Sequence, residues 1–195
     1  FMYPDGHIQN ASTVKIIPHK NWSKVTTGLP SGDAKFTYKA KDFDILFDSP
    51  IEVGNQDVLS FNASGVKHDV AMVSGGNYKP EVVTKDMAKI VDYQTSIFGE
   101  NPNDYYAFIV HHFESGRGGL EHLNSTVLGA TRNGYTNPSV YYSYLRLVAH
   151  EYFHLWNIKR LRPVELGPFN YNEENYTTNL WISEGFTTYY STKSM

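Results

Sequence analysis

The chain has no cysteine among its 195 residues, which excludes disulfides and thiolate metal ligands alike. Any metal site must be built from His, Asp, Glu or water. It also has no block of Lys and Arg: 17 basic against 20 acidic residues leave a formal net charge of −3, which offers a phosphate backbone no cationic surface. A nucleic-acid partner is not expected. No apolar run approaches membrane-spanning length, and the opening residues, Phe1-Met2-Tyr3-Pro4-Asp5-Gly6, lack the charged segment and apolar stretch of an export signal. Such a start reads like the interior of a longer chain whose removed leader could have carried a signal, so the compartment stays open, with a lean toward a periplasmic or other extracytoplasmic site.

What the chain does have is the apolar fraction of a globular protein and a high aromatic share, 15%, led by fifteen tyrosines. That content suits strands and a carved binding surface better than a disordered tail. Residues 1–76 read as β-rich, with short apolar or alternating runs at Val14 to Ile17, Phe36 to Ala40, Phe43 to Phe47 and Val70 to Val73, punctuated by Pro and Gly. After Pro80, apolar residues from Val82 to Ile97 fall at helical spacing, with Gly99 placed as a C-cap. Tyr105 to Phe113 reads as a strand covered on both faces, Leu120 to Leu128 as an edge strand, and Tyr141 to Lys159 as a largely buried helix. A last helix is expected from about Glu174 to Thr192. The whole is an α+β pattern divided near residue 76.

The pentapeptide His150-Glu151-Tyr152-Phe153-His154 carries the most chemistry. On a helix, residues i and i+4 share a face, so both imidazoles can meet one tetrahedral Zn²⁺ while Glu151, one step round, reaches a water whose pKa the metal has lowered. Two hydrogen-bonded core histidines are the plainer alternative. Against it stands the cost of burying two imidazoles and a carboxylate within five residues without a partner.

A catalytic zinc site needs a third protein ligand and one open position. Glu173 is separated from His154 by eighteen intervening residues, yet Asn172, Glu174 and Asn175 around it suggest an exposed first helical turn, where acids suit the macrodipole. Glu184 sits among Leu180, Trp181, Ile182, Phe186, Tyr189 and Tyr190, and an acid inside so apolar a helix needs a cation. Glu184 is the preferred ligand, with Glu173 the alternative. The remaining histidines have no ligand spacing, and the neighbours His111 and His112 should face opposite sides of a strand.

The stretch Val148 to Tyr190, with VAHEYFHLWNIKRLRP, ELGPFNY, ENYT and LWISEGFTTYY, resembles the glycyl aminopeptidase family of gluzincin zinc metallopeptidases, as does Gly75 to Leu128 with SGGNY and GRGGLEH. The family's usual architecture is a β-domain, a thermolysin-like catalytic domain and a PDZ domain. The resemblance implies that residues 77–195 form the N-terminal part of that catalytic domain, truncated, with His150, His154 and Glu184 holding one Zn²⁺ per chain and Glu151 as acid/base. It implies an aminopeptidase acting on peptides, and the family name implies a preference for N-terminal glycine. In related aminopeptidases a Gly-x-Met-Glu-Asn edge strand binds the substrate backbone and its α-ammonium group. Gly118-Gly119-Leu120-Glu121-His122 departs from that wording at Leu120 and His122, but it makes Glu121 the candidate amine anchor and Gly118 and Gly119 the sites of close backbone approach. A solvated acid beside a glycine turn is the other reading of Glu121.

Gluzincins add an oxyanion donor from a helical lobe after the third ligand, and eleven residues follow Glu184. The expectation is thus a piece that binds zinc better than it hydrolyses peptides, with a further catalytic lobe and a PDZ domain in the full-length protein. The contrasting class is an inactive peptidase-fold module that binds peptides or partners.

Overall fold

The computed structural model describes residues 1–195. Two small antiparallel ribbons open the chain: β1 (Ser12–Lys15) pairs with β3 (Thr37–Ala40), and β2 (Lys24–Thr27) pairs with β4 (Ile51–Gly54). Between β3 and β4 the run expected to be a strand, Phe43–Phe47, is the short helix α1. The reason is local. Asp42 caps it by accepting from the Ile45 amide at 2.8 Å, and that bond turns an apolar run of ambiguous period into a helical turn burying Phe43 and Leu46.

The main sheet has five strands in the order β5 (Asp57–Ala63), β6 (Val66–Val73), β7 (Tyr105–Phe113), β9 (Ser125–Thr131) and β8 (Gly118–Glu121). The pairs β6/β7 and β7/β9 are parallel, whereas both outer pairs are antiparallel. Its first two strands precede residue 76 and its last three follow it, so hydrogen bonding runs across the expected division. Helix α2 (Pro80–Phe98) makes the crossover from β6 to β7, ending on Gly99 in the left-handed conformation.

The strand β7 is buried from Tyr106 to Val110, which accounts for its unbroken apolar sequence. On one face Tyr106, Phe108 and Val110 join the core formed with α2 and with α3 (Pro138–Phe153). Of the run expected as one edge strand only the β8 part lies at an edge, because Ser125–Thr131 lies inside the sheet. The last helix, α4 (Leu180–Lys193), packs on α3 and starts six residues later than the sequence suggested. No helix is long and apolar enough to cross a membrane.

Candidate metal centre

Asn137 starts α3 by accepting from the amides of Ser139 and Val140, and Pro138 occupies its first turn. The helix ends one residue short of His154, its C-cap, so the two motif imidazoles hang from the last turn. The buried segment expected to remain helical to Lys159 continues past this point as hydrogen-bonded turns, with the Ile158 amide bonded to the His154 carbonyl and the Arg160 amide to that of Trp156. His150 Nε2 and His154 Nε2 are 3.2 Å apart, with their rings nearly perpendicular. Glu184 of α4 completes the group: one carboxylate oxygen is 3.1 Å from His150 Nε2 and the other 3.7 Å from His154 Nε2.

Those separations suit one ion. Ligands bonded at about 2.1 Å in a tetrahedron lie roughly 3.4 Å apart. His154 gives the decisive detail. Its ring is almost wholly buried, and Nδ1–H donates to the Asn157 carbonyl at 2.8 Å, which leaves the Nε2 lone pair aimed at the seat. Burial, and next the charge of His154, push the His150 imidazole below its ordinary pKa although Glu184 pulls it the other way. Neutral imidazoles are what a divalent cation needs.

Glu184 meets the two imidazoles, but not as the buried acid that its apolar neighbours in sequence suggested. Its side chain is 58% exposed, and Leu180, Trp181, Phe186 and Tyr189 around it are exposed too. It is therefore no buried acid in an apolar interior; it reaches the imidazoles because its turn of α4 crosses the end of α3. Glu173 and Glu174 lie in the irregular segment before α4 rather than in a first helical turn, and Glu173 lines the cleft that Glu121 also lines, outside the group of His150, His154 and Glu184.

Glu151 points to the other side of the seat. It is 5% exposed, and its carboxyl is pushed up to about 8 by burial first, then by the charges of Glu121 and Glu184, with Arg117 opposing. A seated cation would reverse that direction. Donor oxygens of Glu121 and Glu151 and a ring nitrogen of His154 all lie within 4.8 Å of one another. The edge strand makes this possible: a Cβ at Gly119 would occupy the space of the Glu151 carboxyl, so only glycine lets β8 lie this close to α3. Gly118 faces open space.

Three supports were not legible in the motifs. Asn157 fastens the turn after His154 to α4, its amide donating to the carbonyls of Ile182 and Ser183 and to Thr187 Oγ1. Thr187 in turn donates to the Asn157 carbonyl at 3.3 Å. Asp48, after α1, accepts from Lys159 Nζ and from the Leu123 amide, both at 2.7 Å, and lies 3.3 Å from His122 Nδ1. Burial pushes the Asp48 carboxyl up, but these donors outweigh it and hold it below its ordinary value. The strand histidines part as their alternation requires: His111 meets Glu52, whereas His112 meets the Val73 carbonyl and Tyr135.

The sequence profile described as M61 glycyl aminopeptidase matches residues 143–195, and the Peptidase M61 N-terminal domain matches residues 1–55. The first segment contains His150, Glu151, His154 and Glu184; Glu121 lies between the two. Among solved structures, an aminopeptidase N family protein from Idiomarina loihiensis superposes with a TM-score of 0.92 at 32% identity, over 97% of this chain and 34% of that one. The chain thus spans about a third of that protein's length. No curated protein gives a significant match.

Proposed function

The chain belongs to the M61 glycyl aminopeptidase family, and from that premise we propose that it is the zinc-holding part of an aminopeptidase. His150, His154 and Glu184 hold the ion, which when bound supplies Lewis-acid polarisation of a peptide carbonyl and of water. Glu151 takes the proton of the attacking water and returns it to the leaving amine. Glu121 receives the substrate α-ammonium group, which fixes cleavage after one residue. Gly118 and Gly119 admit the substrate backbone along the free edge of β8. The observation that most supports this reading is the convergence of three ligand atoms, one of them Nε2 of a buried His154 whose tautomer is set by Asn157.

A glycine fits as the first substrate residue. The cleft of about 590 Å³ that Leu120, Glu121 and His122 help to line also leaves room for a larger side chain. Turnover further requires a donor for the tetrahedral oxyanion. We propose that these residues alone hold zinc more readily than they turn over peptide, a reading supported by the threefold greater length of the solved relative.

The test is Glu151→Gln in the full-length protein. Retained zinc with hydrolysis reduced by about a thousandfold or more is expected for a lost general base; unchanged hydrolysis would refute the role. N-acetylation of a peptide substrate should likewise abolish the advantage that Glu121 confers, and equal rates for free and acetylated peptides would remove Glu121 as the anchor.

A further inference from the structure

Arg117, one residue before β8, takes part in none of the ion pairs of the chain and is exposed. Gly119 and Glu121 share one face of β8, and the same two-residue count carried one step before the strand assigns Arg117 to that face. That face follows α3. Glu121 lies by His154, and Gly119 abuts Glu151. Arg117 lines a small cavity with Tyr144 of α3, seven residues before Glu151, or about 10 Å back along the helix.

A peptide whose ammonium group is held at Glu121 and whose first carbonyl lies at the metal seat must run antiparallel to β8, toward Arg117. Glu121 to Arg117 is four strand residues, about 13 Å. An extended peptide of three or four residues covers roughly 10–13 Å, and the length of the arginine side chain accommodates both.

We propose that Arg117 receives the C-terminal carboxylate of a peptide three or four residues long whose N-terminus sits at Glu121, so that short free peptides are the substrate class. The free edge of β8 is thereby a ruler with an anionic end and a cationic end. The inference rests on the reading of β8 as the peptide-binding edge.

The experiment is calorimetric binding of Gly-Ala-Ala and its C-terminal amide to the zinc-loaded Glu151→Gln chain, with and without Arg117→Ala or Arg117→Lys. The acid should bind about fivefold tighter than the amide, an exposed ion pair's worth. The ratio should fall to near one in Arg117→Ala, recover partly in Arg117→Lys, and shrink in 1 M salt. Equal binding of acid and amide with Arg117 present overturns the inference and leaves the reading of β8 intact. Failure of both peptides to bind a protein that holds zinc overturns the reading of β8 and the inference with it.

Discussion

His154 owes its orientation to one carbonyl. Asn157 O accepts from Nδ1 at 2.8 Å and Thr187 Oγ1 lies 3.3 Å from the same nitrogen, so the ring can neither flip nor exchange its tautomer freely. Thr187→Val removes the hydroxyl with little change in volume, and zinc affinity should fall about tenfold, read by competition with a chromogenic chelator. Gly119→Ala acts on the other side of the seat. The added methyl displaces the Glu151 carboxyl, so hydrolysis should fall by at least an order of magnitude with zinc affinity nearly unchanged. The motif residues themselves were readable, because a fixed spacing on a helix fixes which side chains meet. Thr187, Asn157 and Asp48 were not, since each acts through a contact distant in sequence and belongs to no pattern along the chain.

Behind the motif helix, His68 of β6 is fully buried, stacks on Phe61 and lies 3.0 Å from the hydroxyl of Tyr152. Burial pushes its imidazole down to about 4 from an ordinary 6.5. A depressed group stabilises the fold fully above its unfolded value and loses that contribution as pH falls toward the folded one. The window is therefore pH 6.5 down to about 4, and the loss is on the order of 3 kcal/mol. Urea melts of His68→Phe should show a shallower decline across this window than the parent chain; an identical slope would refute the assignment. Element types were legible where the period was long, as in α2, or where burial was complete, as in β7. They failed where a single cap decided, at Phe43–Phe47, and where α4 begins at Leu180 rather than near Glu174. The apolar residues beside Glu184 misled in a similar way, since composition around a residue does not say which face of its helix is covered.

Across the whole molecule, the N-terminal ribbons are fastened to the main sheet by a few specific contacts. Glu52 meets His111, and the carboxyl of Asp48 joins Lys159, just past the metal seat, to the loop after β8. Gly28 packs so near the Asn124 carbonyl that a side chain there would collide with backbone. Asp48→Ala leaves the largely buried Lys159 ammonium and the Leu123 amide without their acceptor. It should cost about 2 kcal/mol in denaturant unfolding, with Asp48→Asn losing less. This seam was invisible in the sequence, which showed the β-rich start and the later sheet-and-helix pattern but not that β5 and β6 join the strands that follow them.

The site's central claim is that one zinc ion is held by His150, His154 and Glu184. It is tested most directly by metal analysis of the purified chain and of its Glu184→Ala and Glu173→Ala variants after equilibration with zinc. One ion per chain is predicted for the parent and for Glu173→Ala, with a loss of at least tenfold in affinity for Glu184→Ala. Zinc well below one per chain in the parent, or a loss confined to Glu173→Ala, would contradict it.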